Sequence, residues 1–318
     1  MFLPEFPSAV WLNSMPLTRA SLEGRVVLVD FWDYTCVNCI RTLPHIREWH
    51  SKYKDKGLVI IGVHTPEFLF AREKENVARA AHSFGMEYPI ALDNDYLIWN
   101  AFGNRYWPAK YFFDHRLRMR YSHFGEGAYA ESERGLQALL AERDPDAVLP
   151  QITNVNAAVD EGAFCMPVTP ELYLGWARGI LGNNRANDKS KPATYLLPVK
   201  LAPDIAYLDG EFIVDKWSSS ATKPNARLLL DYEALEANIV LHPPKDGPGK
   251  LELRQDGEPL KVELAPEAVS EDGRTILYVD VPRMYNLVRN PLVQRHAFEL
   301  VWITAGIEAF AFTFTGCD

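Results

Sequence analysis

The sequence lacks any apolar run long enough to cross a bilayer. A membrane-spanning helix needs about 18 or more consecutive apolar residues, and no run in the 318 residues approaches that length. Residues 1–7 also lack the basic and apolar stretches of a secretory signal. We therefore expect neither a transmembrane helix nor a signal peptide in this chain.

Positive charge is also in short supply. The 33 lysines and arginines are outnumbered by 42 aspartates and glutamates, which gives a formal net charge of −9 at pH 7. Such a charge argues against binding to nucleic acid or to anionic membrane surfaces. The hydrophobic residues, 47% of a chain of this length, can form the cores of two domains.

Cysteine is scarce too, and the four cysteines fall into two classes. Cys165 and Cys317 are single and far apart in sequence. They could form a disulfide, which would suit an oxidising compartment, or they could remain two free buried thiols. Cys36 and Cys39, in contrast, have the C-x-x-C spacing, and this close pair is the most informative feature of the sequence.

The C-x-x-C pair follows a hydrophobic run at residues 26–32 that is typical of a buried strand. A helix that begins after a short turn places Cys36 at its N-terminus, where backbone N–H groups and the helix dipole stabilise a thiolate. Cys39 lies one turn further along and can form a disulfide with Cys36. This arrangement predicts thiol–disulfide exchange.

Two other chemistries use similar cysteines. A zinc site needs a second pair of ligands at metal spacing, and His45 and His50 on the same predicted helix suit a tetrahedron with both cysteines poorly. A peroxidase would have a threonine two residues before a single reactive cysteine, whereas Thr35 directly precedes Cys36 and Cys39 can resolve an intermediate. We therefore favour redox exchange, with no metal and no cofactor beyond the cysteine pair.

Asp30 is a carboxylate inside the apolar strand, six residues before Cys36. It could be an ordinary acid near a strand end with a satisfied hydrogen bond. A buried carboxylate is costly, however, and one next to a redox pair can accept the proton of the second cysteine. We therefore predict that Asp30 is the proton acceptor for Cys39.

These residues resemble a known superfamily. The stretch V-V-L-V-D-F-W-x-x-x-C-x-x-C-x-x-x-x-P, which ends at Pro44, and the Trp107-Pro108 pair before a predicted hairpin look like the thioredoxin superfamily. Most X-Pro bonds are trans. The resemblance implies instead that the Trp107–Pro108 bond is cis and that Pro108 lies against the disulfide.

The resemblance also implies where a substrate would bind. Trp107 and the residues around the sulfurs, Thr35, Val37 and Asn38, would contact an extended protein segment. Thr35 stands where the superfamily usually has tryptophan. Asn38, which stands in place of a helix-favouring or basic residue, should tune the redox potential, but the sequence gives neither the sign nor the size of the effect.

A narrower resemblance covers nearly the whole chain. Residues 57–68, 88–95 and 104–109 resemble TlpA-like thioredoxin domains, and with residues 169–175 and 311–316 they resemble the C-terminal soluble half of DipZ-type proteins. That likeness implies a reductase of protein disulfides outside the cytoplasm that receives electrons from a CcdA-like membrane partner. It also implies an appended β-domain similar to carbohydrate-binding modules, with a glycan as a possible ligand.

The pattern of the first half predicts an α/β thioredoxin fold over residues 1–143. Strands are expected at 26–32, 58–63, 89–92, 110–114 and 118–124, and helices at 36–53, 65–84, 96–102 and 130–142. The strand and helix between residues 89 and 102 form the insertion that is usual in TlpA-like domains.

The second half is predicted to be all-β. Prolines and polar residues over 144–195 indicate a linker with one short helix after Thr169, and alternating runs over 196–318 favour a β-sandwich. Two Asp-Gly pairs at 256–257 and 272–273 predict hairpin turns. Aromatic residues in such a domain are mostly core, but four could stack on sugar rings: Trp176, Tyr207, Trp217 and Tyr285.

Overall fold

The structure, a computed structural model, describes residues 1–7, 10–152, 166–183 and 189–316. The chain divides into two compact units, Met1–Ala163 and Phe164–Asp318. Cys165 and Cys317 lie outside the described residues, so their pairing stays an open question from the sequence.

The first unit is a mixed sheet with helices. Its described strands are β1 (Val10–Leu12), β2 (Val26–Trp32), β3 (Leu58–His64), β4 (Ile90–Leu92), β5 (Ala109–Phe113) and β6 (Met119–Phe124). Its described helices are α1 (Arg19–Leu22), α2 (Val37–Tyr53), α3 (Lys74–Ser83), α4 (Leu97–Phe102) and α5 (Tyr129–Arg143), with 3-10 turns at Lys54–Lys56 and Leu69–Arg72.

The sheet of the first unit has the order β1-β4-β3-β2-β5-β6. Strands β2, β3 and β4 are parallel to one another, whereas β5 is antiparallel to β2. All seven residues of β2 are buried, which explains why this strand reads as a continuous hydrophobic run. The parallel strands β2 and β3 both end at the edge where the cysteine pair follows.

Helix α2 carries the cysteine pair and packs on the sheet through its apolar side. Leu43, Ile46, Trp49 and Tyr53 are buried at the spacing of one helical face. Pro44 lies inside this helix, which continues to Tyr53. The tight packing of that face fixes where the first turn of α2 meets the sheet.

One predicted helix of the first unit is wrong at its start. Residues 65–84 were expected to form a single helix, but the structure has a 3-10 turn at Leu69–Arg72 and then α3 from Lys74. The backbone N–H of Glu67 is bound by the buried carboxylate of Asp33 at 2.6 Å, and Phe68 and Phe70 are buried. These tertiary contacts hold the segment in a loop.

The second unit is all-β in its described residues, as predicted. Its strands are β7 (Leu172–Tyr173), β8 (Pro192–Tyr195), β9 (Ala206–Val214), β10 (Ser219–Ala221), β11 (Arg227–His242), β12 (Gly249–Gln255), β13 (Glu258–Pro259), β14 (Ala268–Glu271), β15 (Arg274–Val279), β16 (Arg283–Trp302) and β17 (Glu308–Thr315).

These eleven strands form one hydrogen-bonded sheet. Its main path is β14-β15-β12-β16-β11-β17-β10-β9-β8, and β11 also pairs with β9. The long strands β11 and β16 pair along most of their length, with bulges near Ala234 and Ala237. Phe212 and Trp302 meet edge to face at 5.3 Å within a single core cluster.

The predicted linker is wrong over its second part. Residues after Thr169 form strand β7 and a turn, with no helix in the described stretch 166–183, because Leu172 pairs with Phe312 and Leu174 is fully buried. Pro192–Tyr195 likewise pairs with β9 as β8. Both segments are strands because they pair with strands that are distant in sequence, and a proline-rich local pattern does not indicate such pairing.

Two turn predictions are confirmed and one strand prediction is wrong. Asp256 and Gly257 have positive φ, and so do Asp272 and Gly273, as a type I′ hairpin turn requires. The alternating pattern of the second half predicts a strand at residues 261–264, but these residues form a 3-10 turn at Val262–Leu264 with no buried residue. Its alternating pattern had no partner strand to pair with among the described residues.

Candidate active site

Cys36 is the N-cap of α2. Its backbone is extended, and its Sγ accepts a hydrogen bond from the Cys39 backbone N–H at 3.2 Å. The sulfur is partly exposed, so it can reach a substrate. A sulfur that receives N–H groups at a helix N-terminus is stabilised as a thiolate. The geometry therefore favours Cys36 as the nucleophile.

Cys39 lies one turn further on and is only 1% exposed. Both cysteines are free thiols in this structure. Burial, the hydrogen bond with Cys36 and the nearby charges of Cys36 and Asp30 raise the pKa of the Cys39 thiol well above its usual value. Cys39 therefore needs a base before it can attack a sulfur.

Asp30 is the carboxylate best placed to be that base. Its side chain is 1% exposed, and neither oxygen has a hydrogen-bond partner within the described part of the chain. Burial raises its pKa to about 7, while the positive charge of Lys110 lowers it. A group with that pKa can both accept and release a proton near neutral pH. The predicted role of Asp30 stays a prediction that this position supports.

Asp33 organises the turn before the cysteines. Its carboxylate is fully buried and accepts hydrogen bonds from the Thr35 N–H and hydroxyl, both at 2.7 Å, and from the Glu67 N–H. Its backbone carbonyl accepts the Cys36 N–H at 3.2 Å. Burial raises the pKa of Asp33, and the donated bonds lower it. This one side chain ties the cysteine turn to the loop after β3.

The Trp107–Pro108 peptide bond is cis, as the resemblance implied. The Trp107 indole donates to the Thr65 carbonyl at 3.0 Å, and its ring lies 4.3 Å from that of Trp99. On the other side, the Pro108 carbonyl accepts the Gly125 N–H at 2.8 Å. The segment that contains Trp107 and Pro108 is therefore bound to the loop after β3. The Asp33 carboxylate binds the same loop.

The residues predicted to contact substrate differ in exposure. Asn38 is exposed and Trp107 is half-buried, whereas Thr35 and Val37 are 2% and 9% exposed. The Thr35 hydroxyl is already used in its bond to Asp33. Any substrate contact at Thr35 or Val37 would therefore involve mainly the backbone.

Two residues of this region were missed from the sequence. Lys110 is completely buried and pairs across the strands with Asp30. Asp33, which lies three residues before Cys36, was not among the predicted site residues. A lysine inside the aromatic run of β5 was the available signal for Lys110, because a lysine in a buried strand is rare without a partner.

The four aromatic residues of the second unit that were predicted to stack on sugar rings also differ in exposure. Tyr207 and Tyr285 are 5% and 0% exposed, so the idea that they stack on sugar rings is wrong. Trp176 and Trp217 are half-buried, and lysine ammonium groups lie over both rings. These two tryptophans keep some ring surface that a ligand could reach.

No group of three or more histidine, cysteine or acidic side chains in the described ranges could hold a metal ion. Across the same ranges, no helix is both long and apolar enough to span a membrane.

Comparison with known proteins places this site in a family. The AhpC/TSA family matches residues 9–122, and the thioredoxin like C-terminal domain matches residues 169–315. The thiol-disulfide oxidoreductase YkuV of Bacillus subtilis is 30% identical over 135 residues, which cover 42% of this chain and 90% of that protein. The chain belongs to the thioredoxin-like thiol–disulfide oxidoreductases.

Similarity to a longer protein extends over both units of the chain. Protein DipZ of Mycobacterium bovis is 38% identical over 253 residues, 78% of this chain. The chain spans about a third of the length of the curated DipZ relatives, since the match covers 35% of them. A solved thioredoxin-like protein in the oxidized form is 30% identical, with a TM-score of 0.41 and coverage of 44% of this chain and 95% of that one.

Proposed function

We propose that this oxidoreductase reduces disulfides of protein substrates in the cell envelope. The observation that carries the proposal is the Cys36–Cys39 dithiol at the start of α2, with Asp30 buried beneath it. The reducing direction rests on the likeness to DipZ-type proteins.

In the first step, the Cys36 thiolate attacks one sulfur of a substrate disulfide. The substrate disulfide breaks, one substrate thiolate leaves, and Cys36 is joined to the other sulfur in a mixed disulfide. The exposed side of Cys36 and the adjacent Pro108 loop would receive an extended substrate segment.

In the second step, Asp30 takes the proton of Cys39. The resulting thiolate attacks the Cys36 sulfur, the second substrate thiolate leaves, and the Cys36–Cys39 disulfide forms. Two electrons have then passed from the protein to the substrate. Asp30 later loses its proton to solvent, which a pKa of about 7 permits.

The oxidised protein needs an electron donor to work again. We assign this role to a CcdA-like membrane partner and the location to the periplasm or cell envelope, on the basis of the DipZ likeness alone. The protein would act through its redox-active disulfide without another cofactor.

Trapping of mixed disulfides tests the roles of the two cysteines. With disulfide-bonded insulin as substrate, Cys39→Ser should accumulate a mixed disulfide because the resolving thiol is missing. Cys36→Ser should accumulate none. The adducts are counted by mass spectrometry after acid quenching. Trapping by Cys36→Ser instead would reverse the assignment, and no insulin reduction by the unaltered chain with a dithiol donor would reject the function.

A second candidate function is glycan binding by a carbohydrate-binding-module-like second unit, with redox chemistry as a secondary activity. The supporting observation is that the segments carrying Trp176 and Trp217 run side by side, since the Trp176 and Ala177 N–H groups bind the Asp215 and Lys216 carbonyls at 3.0 Å. Both rings are half-buried.

Calorimetric titration with cell-wall glycan fragments tests this candidate. Trp176→Ala and Trp217→Ala should each weaken binding at least tenfold if the rings stack on sugar. Tyr278→Ala is the matched control, because Tyr278 is an exposed aromatic residue of the same unit and also lies under a lysine. Equal effects of all three changes would argue against a tryptophan platform.

A further inference from the structure

Residues 65–67 form a short bridge segment that follows β3 directly and is bound at each of its residues. The Thr65 N–H donates to the Trp32 carbonyl at 3.2 Å, and the Pro66 carbonyl accepts the Tyr96 hydroxyl. Both Thr65 and Pro66 are buried. A short buried segment with several hydrogen bonds to its surroundings has little freedom to move, so it can fix the positions of the parts that it joins.

A buried carboxylate joins one end of the bridge segment to the cysteine turn. Asp33 is 0% exposed, and one of its oxygens accepts the Glu67 N–H at 2.6 Å. The other oxygen accepts the N–H and the hydroxyl of Thr35, both at 2.7 Å. The backbone carbonyl of Asp33 accepts the Cys36 N–H at 3.2 Å. Asp33 therefore contacts the bridge segment through its side chain and the nucleophile through its backbone.

The other end of the bridge segment is joined to the residues that would receive the substrate. The Thr65 carbonyl accepts the Trp107 indole N–H at 3.0 Å, and Trp107 directly precedes Pro108. Asp33 binds Glu67 and Trp107 binds Thr65, so Pro66 alone separates the two attachment points. The ring of a proline fixes φ, which makes the connection between them stiff.

This connection matters because the two joined parts carry the two reacting groups. The cysteine turn carries the nucleophile Cys36, and the Trp107–Pro108 segment would hold the substrate beside it. A misplacement of about 1 Å between reacting groups can cost about 100-fold in rate. We propose that Asp33 is a positioning residue that holds the cysteine turn and the Trp107–Pro108 segment in the relative position that attack on a protein disulfide requires. The role rests on the proposed function, and Asp33 itself transfers no proton.

A comparison of a protein substrate with a small one tests this role. Hydroxyethyl disulfide needs only the exposed sulfur of Cys36, whereas insulin also needs the Trp107–Pro108 segment. Asparagine has one acceptor oxygen, so in Asp33→Asn it can bind Thr35 or Glu67 but not both. The reaction of this variant with insulin should slow about tenfold, while the reaction with hydroxyethyl disulfide should stay within about twofold of the wild-type rate.

Formation of the mixed disulfide in a Cys39→Ser background isolates the attack by Cys36. The rates are compared on their plateau at high pH, where Cys36 is fully ionised in every variant. Asp114→Asn is the matched control, because Asp114 is 2% exposed and accepts the Arg116 and Arg118 N–H groups at 3.0 and 2.9 Å in the turn between β5 and β6. This control should leave both rates near the wild-type values.

Tyr96→Phe loosens the bridge segment from a different side. It removes the hydroxyl that binds Pro66 and keeps the ring, whose centre lies 5.9 Å from that of Trp99. It should slow the reaction with insulin about threefold or more and spare the small disulfide. Because both changes act through the bridge segment, the Asp33→Asn/Tyr96→Phe double variant should lose less than the product of the two single effects. If Asp33→Asn does not fold, Tyr96→Phe provides the comparison of the two substrates.

The outcomes separate the role of Asp33 from the proposed function. Equal slowing with both disulfides, an unchanged reaction with insulin, or fully multiplicative effects in the double variant would each overturn the positioning role. A wild-type chain that fails to reduce insulin with a dithiol donor rejects the proposed function instead. A wild-type chain that reduces insulin, beside variants that treat both disulfides alike, rejects only the role of Asp33.

Discussion

Asp30 is the residue at which stability and chemistry oppose each other. Its folded-state pKa of about 7 lies above the ordinary value of 3.8, so the fold favours the protonated carboxyl. The stabilisation from the protonated form is fully present below pH 3.8 and is lost as the pH rises toward 7. The protein therefore keeps at this position a group that weakens the fold at neutral pH.

Asp30→Asn should separate the two effects. In the oxidised protein, the gain in unfolding free energy over wild type should grow between pH 4 and pH 7 and level off above, reaching a few kcal/mol. Resolution of the mixed disulfide should fall on the order of 100-fold because the base is lost. Thermal unfolding across the pH range measures the change in stability, and single-turnover kinetics measure the rate of resolution. A turnover that is unchanged at every pH would remove Asp30 from the mechanism.

Helix α5 is fastened to α2 by a buried ion pair. The Glu133 carboxylate, whose side chain is 1% exposed, accepts hydrogen bonds from the Tyr53 hydroxyl at 2.6 Å and from Lys52 Nζ at 3.0 Å. Burial and this carboxylate raise the pKa of Tyr53. Since α2 carries the cysteine pair at its N-terminus, this contact at its C-terminal end helps to hold the helix in place.

Glu133→Ala should destabilise the first unit by about 3 kcal/mol, because a buried hydroxyl and an ammonium lose their acceptor. Glu142→Ala is the matched control in the same helix. The side chains of its pair with Arg120, at 2.8 Å, are 43–45% exposed, so solvent screens the pair and Glu142→Ala should change stability much less than Glu133→Ala does. Urea unfolding followed by helical circular dichroism reports the first unit, which contains the described helices. Equal losses in both variants would contradict the argument.

At the scale of the whole molecule, the residues of the candidate active site and its surroundings all lie in one compact unit. Cys36, Cys39, Asp30, Lys110 and Pro108 belong to Met1–Ala163. YkuV, which matches over 90% of its own length, is a relative that consists largely of such a unit. The second unit is therefore not expected to take part in the chemistry.

A chain truncated to residues 1–163 should keep insulin reduction within about twofold of the full chain. This end point is preferable to residue 143, because the Pro150 and Gln151 carbonyls accept hydrogen bonds from Gln137 and Lys52. Activity is compared after circular dichroism has established that the truncated chain folds. A folded but inactive truncation would mean that the second unit shapes the active site.

The sequence by itself determined the local elements and the reactive pair. Residues 26–32 read as a buried strand because every position except Asp30 is apolar. The C-x-x-C pair follows at the start of a helix. The Asp-Gly turns were equally readable, since positive φ is a local demand. Such features depend on neighbours in sequence, which a single sequence displays.

The tertiary structure decided what depends on distant partners. The antiparallel register of β2 and β5 brings Lys110 to Asp30, and the Asp33 carboxylate binds the loop after β3 through the Glu67 N–H. Pairing of Leu172 with Phe312 turned an expected linker into a strand. A local pattern cannot give these outcomes, because each depends on which far segment supplies the hydrogen bond or the charge.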